Sequence, residues 1–221
     1  MQDIDIRQQQ PAGDMSLFYF LRHSATDWNM EGRICGSTDV PLSDLGRRQA
    51  QLLGRRFETL PVEALYSSPL RRALDTAIVI GESVGLSPLV DSRLAELNYG
   101  EWEGATFAEI VRATPGLYHA WEENPADLAP PRGETGVHLV ERAAPFLAEV
   151  AQRHPCGNVV VVCHKTVCRL LACQIMGVPL TEYRRRVPMD NAALNIFEAQ
   201  NGKWRVATLN DTSHLKENGG G

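Results

Sequence analysis

Val159-Val160-Val161-Val162-Cys163-His164-Lys165-Thr166 is the stretch from which the fold can be read. Its apolar, largely β-branched run shows no alternation with polar residues. That is the pattern of a strand covered on both faces, as the central strands of parallel sheets are. The run stops at His164, and the residues to about 176 read as a helix. A strand feeding a helix is the repeating unit of an α/β fold.

The same unit recurs on either side. Residues 17–21 form a short apolar run that ends at Arg22-His23. Residues 43–58 read as a helix with Ser43 as N-cap. Residues 64–66 read as a strand ending at Ser67-Ser68. The next helix runs to about Val84, with Pro69 in its first turn and Gly85 as C-cap. Leu89-Val90 suits a short strand, and residues 135–153 suit a helix. Residues 193–197 and 204–209 suit a hairpin closed at Asn201-Gly202. Between residues 93 and 132 the pattern is broken by glycines and prolines, as in a segment folded over the main body. The expected architecture is a three-layer α/β/α sandwich with a mostly parallel sheet. It spans residues 16–215, with a small helical lid at about 96–132 and flexible tails at 1–15 and 216–221.

Composition narrows the function. A net charge of −5 argues against a general nucleic-acid binder. The longest apolar run, near residues 158–163, is too short to cross a membrane. The polar, Gln-rich start lacks the apolar core of a secretory signal. Five cysteines, with no pair two residues apart, suit free thiols in a reducing cytoplasm.

Three polar clusters fall at predicted strand ends: Arg22-His23, Ser67-Ser68 with Arg71-Arg72 beyond, and His164-Lys165. Ligands of open α/β sheets bind at that edge. Two arginines and two histidines meeting at one point call for an oxyanion, and phosphate suits the planar guanidinium. The start of the helix after His164 adds backbone donors. In such a pocket a neutral imidazole is a competent nucleophile toward phosphorus. A leaving alkoxide then needs a proton, and Glu96, Glu101 and Glu103 are the carboxyl groups at hand. A rival reading starts from Cys163 and Arg169, spaced as in cysteine-dependent phosphatases. The loop between them has no glycine to turn several amides inward.

At this point the motifs resemble a known family. Leu21-Arg22-His23-Ser24-Ala25-Thr26-Asp27-Trp28-Asn29 resembles the signature of the histidine phosphatase superfamily, in its phosphoglycerate-mutase-like branch. Similar in turn are residues 36–46, Ser67-Ser68-Pro69-Leu70-Arg71-Arg72-Ala73, Leu94-Ala95-Glu96 with Gly100-Glu101-Trp102-Glu103-Gly104, residues 131–135 and Val161-Val162-Cys163-His164. The likeness holds in order from about residue 17 to 215.

The resemblance implies that His23 becomes phosphorylated and that Arg22, Arg72 and His164 hold the phosphoryl oxygens. Asn29 and Ser24 would add contacts. Glu96 would be the general acid and then the base toward water. No metal or cofactor is implied. Ser24 stands where the family usually has glycine, and Lys165-Thr166 where a glycine pair is common. The insertion carries Glu122, Glu123 and Asp127, which suits a hydrolase better than a mutase handling a second phosphate. Residues 190–192 and 209–215 resemble the metal-independent phosphoserine phosphatases, so His214 would read a small substrate's carboxylate. The expected partner is a small phosphorylated metabolite, with a homodimer as a candidate assembly. His119, His138 and His154 read as surface residues, Arg71 as solvent-facing, and Trp28, Trp102 and Trp121 as packing.

Overall fold

The computed structural model describes residues 15–216. The tails expected at 1–15 and 216–221 therefore lie outside the described residues, apart from Met15 and Lys216. Met15 is already the first residue of a strand.

In chain order the elements are β1 (Met15–Arg22), the one-turn α1 (Asp27–Met30), α2 (Asp44–Phe57), β2 (Val62–Ser67), α3 (Arg71–Val84) and β3 (Leu89–Val90). Two 3₁₀ turns, Ser92–Leu94 and Gly100–Trp102, lead to α4 (Phe107–Ala113) and α5 (Pro115–Glu123). Then follow α6 (Gly136–Arg153), β4 (Gly157–Cys163), α7 (Lys165–Met176), the short α8 (Tyr183–Arg186), β5 (Leu194–Gln200) and β6 (Lys203–Asp211).

The sheet order is β3-β2-β4-β1-β5-β6. β1, β2, β3 and β4 are parallel, and β5 and β6 add an antiparallel hairpin on one side. At the hairpin tip Asn201 and Gly202 have φ of 51° and 72°. A two-residue turn that follows the sheet's twist needs that left-handed pair.

The pleat sends successive valines of β4 to opposite faces. Val159 and Val161 join Phe18 and Phe20 of β1 beneath Leu139 and Phe146 of α6 and Leu171 of α7. Val160 and Val162 join Tyr19 and Leu21 against Leu53 and Phe57 of α2 and Ala77 and Ile80 of α3. Both faces are buried by helices, so the three-layer sandwich follows from the apolar run itself. Ile34, Trp102, Ile110, Tyr118 and Trp121 form a separate small cluster under α4 and α5. Trp102 and Trp121 pack there, as read.

Two local expectations need correction. Pro69 lies ahead of α3 rather than in its first turn, because the helix begins at Arg71. Its first free donor, the Arg71 N–H, is met by Asp39 Oδ1 at 2.7 Å, from a loop distant in sequence. His154 is buried rather than on the surface. Its Nδ1 meets Glu63 at 2.7 Å and its Nε2 meets the Tyr66 hydroxyl at 3.0 Å.

α2 is pinned close to the loop that follows His23. Ser43 Oγ accepts the Gly46 N–H at 3.1 Å and donates to the Ala25 carbonyl at 3.1 Å. A β-carbon on Gly46 would sit 1.9 Å from that same carbonyl oxygen. Gly46→Ala is therefore expected to cost about 1–3 kcal/mol through overpacking, visible as a Tm several degrees lower. An unchanged Tm would mean that α2 is free to shift.

Candidate active site

Backbone pairing continues one residue past the parallel strands. The His23 N–H donates to the Cys163 carbonyl at 2.9 Å, and the Ser68 N–H to the Val162 carbonyl at 3.0 Å. These bonds bring His23, Ser68 and His164 to one level at the carboxyl edge of the sheet. The two imidazoles stand with ring centroids 5.2 Å apart.

His23 Nδ1 lies 2.7 Å from the Ser24 carbonyl oxygen. A carbonyl only accepts, so Nδ1 carries the proton and Nε2 keeps its lone pair. His164 Nε2 meets the Ser68 hydroxyl at 2.7 Å, while its Nδ1 is buried without a partner. Burial first, and then the charges of Arg72 and Arg22, hold the His23 imidazole well below its usual 6.5. Burial, Arg72 and His23 do the same to His164. Both rings are neutral at neutral pH.

This has a sign that can be checked. The folded chain holds protons on these rings less readily than the unfolded chain does. Below about pH 6.5 the unfolded state takes up more protons, and these rings make stability fall as pH falls. The acid limb of kcat/KM, which reports the free enzyme, is expected well below 6.5. A limb at 6.5 or above would contradict the neutral, buried pair.

Each arginine is anchored by protein carbonyls. Arg22 Nη1 donates to Met189 O at 2.8 Å. Arg72 Nη1 donates to Thr38 O at 2.8 Å, and its Nη2 to Gly36 O at 2.6 Å and Cys35 O at 3.2 Å. The Nε of each is buried with no partner, an unmet donor that an oxyanion would satisfy. Burial lowers Arg22 to about 10, against the raising effect of Glu96, so it stays charged at neutral pH. Arg72 is fully buried while Arg71 is exposed. The loop that receives Arg72 is itself held by Glu103, whose carboxylate accepts the N–H groups of Ser37 and Thr38, both at 2.7 Å. In the structure Glu103, one of the three carboxyl groups offered as a proton source, engages this loop.

Glu96 is buried, with Oε1 accepting the Leu97 N–H at 2.8 Å and Oε2 the Thr166 N–H at 3.1 Å. The first turn of α7 thus spends a backbone donor on Glu96. The expectation that these donors would serve phosphate is corrected to that extent.

Other residues stand further back. Ser24 is fully buried; its N–H donates to Thr76 Oγ1 at 3.2 Å and its hydroxyl has no partner. Asn29 Oδ1 accepts the Thr26 N–H at 3.1 Å, closing the capping box of α1, and also Asn191 Nδ2 at 2.9 Å. Its Nδ2 is left for other use. Asn191 and Ala192, which motif reading did not single out as contacts, both donate to the His23 carbonyl. His214 follows β6 and is half-buried. Burial, with Arg56 adding, lowers it to about 4, and its other electrostatic neighbours are Asp211 and Ala192. Ala192 in turn donates its N–H to the His23 carbonyl at 3.2 Å.

The cysteine reading fails on geometry. Cys163 packs in the core with its Sγ 3.3 Å from Cys168 Sγ, and burial raises its thiol well above the ordinary range. Among the described residues, no group of three or more His, Cys, Asp or Glu is arranged to hold a metal ion. No described helix is long and apolar enough to cross a membrane.

Comparison with known proteins points to one family. The family model for the histidine phosphatase superfamily (branch 1) matches residues 18–212. Phosphoserine phosphatase 1 of Hydrogenobacter thermophilus is 32% identical over 197 residues, 89% of this chain and 93% of that protein. Glucosyl-3-phosphoglycerate phosphatase of Mycobacterium tuberculosis is 38% identical over 196 residues, 83% of this chain and 84% of that protein. The solved structure of a mycobacterial glucosyl-3-phosphoglycerate phosphatase with VO3 superimposes with a TM-score of 0.82 at 34% identity, covering 89% of this chain and 99% of that one.

Proposed function

This chain belongs to the histidine phosphatase superfamily (branch 1), and from that membership we propose that it hydrolyses a small phosphomonoester through a phosphohistidine at His23. One observation carries the reading: a neutral imidazole, its Nδ1 engaged by the Ser24 carbonyl, lies among Arg22, Arg72 and His164.

The chemistry runs in two balanced steps. His23 Nε2 attacks phosphorus and the ester P–O bond breaks. Glu96 gives its proton to the departing alkoxide, so an alcohol leaves. Water then attacks the phosphohistidine, Glu96 takes a proton from that water, and inorganic phosphate leaves with His23 restored. Arg22, Arg72 and His164 stabilise the equatorial oxygens as charge spreads over them. The Ser24 hydroxyl, Asn29 Nδ2 and His214 are the further substrate contacts in this reading. Hydrolysis is preferred to mutase transfer because the relatives named above are phosphatases. The reducing cytoplasm is the proposed compartment, on the free-thiol pattern of its cysteines.

The test is phosphate release by purified protein in the presence of EDTA. The substrates are p-nitrophenyl phosphate and a panel including L-phosphoserine, 3-phosphoglycerate, glucosyl-3-phosphoglycerate and α-ribazole phosphate. Turnover of the aryl ester and of at least one metabolite is expected. No release from any of them, or release that requires an added divalent ion, would overturn the reading.

A further inference from the structure

Motif reading singles out residues 190–192 and 209–215 without giving Asp190 or Asn210 a task. The fold joins these two residues. Asn210 Oδ1 accepts the Asp190 N–H at 2.6 Å, and Asn210 Nδ2 donates to Asp190 Oδ2 at 2.9 Å. A bulge in β6 makes this pairing possible. Between the Leu194 and Ile196 registers, one residue of β5 stands against two of β6, Leu209 and Asn210. Asn210 takes a φ of 55°, the left-handed conformation that asparagine tolerates. Bulges re-aim side chains, and this one turns Asn210 toward the 189–192 turn.

The bulge is itself held from β5. Asn195 is fully buried. Its Oδ1 accepts the Asn210 N–H at 2.9 Å, and its Nδ2 donates to the Phe20 carbonyl of β1 at 2.9 Å. A buried amide is costly unless both its ends are bonded, as they are here. The turn that Asn210 grips carries part of the phosphoryl site. Its Met189 carbonyl accepts from Arg22 Nη1 at 2.8 Å, and its Ala192 N–H meets the His23 carbonyl at 3.2 Å. Glu96 and Asp190 are the carboxylates whose charge supports the Arg22 cation.

We propose that Asn210 is a positioning residue for the phosphoryl site: its amide fixes the 189–192 turn and, through that turn, the Arg22 guanidinium and the backbone of His23. The inference rests on the phosphatase reading above. Asn210 acts through Met189 and Ala192 rather than on the substrate. The two arginines differ in how far they depend on such help. Arg72 is held by three carbonyls, those of Cys35, Gly36 and Thr38. Among the described residues, the Arg22 guanidinium has the Met189 carbonyl as its one hydrogen-bond acceptor. A misplacement of about 1 Å in a group that holds the reacting centre can cost about a hundredfold in rate.

The test uses the full-length chain, p-nitrophenyl phosphate as substrate and inorganic phosphate as inhibitor. Asn210→Gly removes the amide and keeps a backbone at ease with positive φ. It is expected to lower kcat/KM by about tenfold or more and to raise the Ki of phosphate by about threefold or more, with Tm lowered by only a few degrees. Arg22 is also one of the charges that hold the His23 imidazole low. With Arg22 loosened, the acid limb of kcat/KM should move up by about half a pH unit. A purely structural loss would shift neither the limb nor the Ki. Asn210→Asp sets two carboxylates against each other and should be as harmful. Adding Asp190→Asn restores one donor and one acceptor, and should return kcat/KM to within about threefold of wild type. Should Asn210→Gly fail to fold, this exchange decides the matter. Asn210→Gly within about twofold of an active wild type, or impaired with Ki and acid limb unchanged, would overturn the inference and leave the phosphatase reading standing. So would a double variant no better than Asn210→Asp alone. A wild type inert toward the aryl ester would overturn both.

Discussion

Replacing His23 with alanine is expected to lower kcat by at least about 10⁴-fold on any substrate the protein turns over. Among the described residues, neither of the alternative nucleophiles at that edge of the sheet is placed to do its work. The neighbouring His164 has its Nε2 at Ser68 and is held neutral by burial and by the same arginines. The Cys163 thiol faces Cys168 in the core. The fold should survive, because the strand pairing beside His23 uses its backbone N–H and carbonyl rather than its ring. Steady-state kinetics together with an unchanged circular dichroism spectrum would check both halves. Retention of a tenth or more of wild-type turnover would exclude His23 as the nucleophile.

Glu96→Gln is expected to have the second largest effect, and the effect should depend on the leaving group. Glutamine keeps the shape and an oxygen to accept from Leu97 or Thr166, but it has no acidic proton to give. Alkyl phosphates, whose alkoxides are poor leaving groups, should slow by about 10²–10⁴-fold. Formation of the phosphohistidine from p-nitrophenyl phosphate should be affected far less, since p-nitrophenolate departs without help. A burst experiment on the aryl ester separates that step from the hydrolysis that follows. Equal losses across a series of leaving-group pKa values would move the acid role away from Glu96.

The sandwich was legible because residues 17–21 of β1 and 159–163 of β4 are apolar on both faces of the pleat, and because Asn201-Gly202 announces its hairpin. His23 and His164 were legible for the same reason: each ends such a run. What escaped reading depends on partners far along the chain. His154 sits in a polar, proline-marked stretch that reads as surface, and its bonds with Glu63 and Tyr66, some ninety residues earlier, and with Ser16 of β1 make it an interior residue. The start of α3 is set by Asp39 rather than by Pro69. The pairing of Asp190 with Asn210 depends on a bulge in β6 that an apolar period does not reveal.

The central claim is a covalent one, and its most direct measurement is to quench the enzyme during turnover of a phosphate-labelled substrate and map the label. The account predicts an acid-labile, alkali-stable phosphoryl group on the peptide that contains His23, absent from His23→Ala. A label on any other side chain, or no covalent label in an enzyme that is turning over, would contradict it.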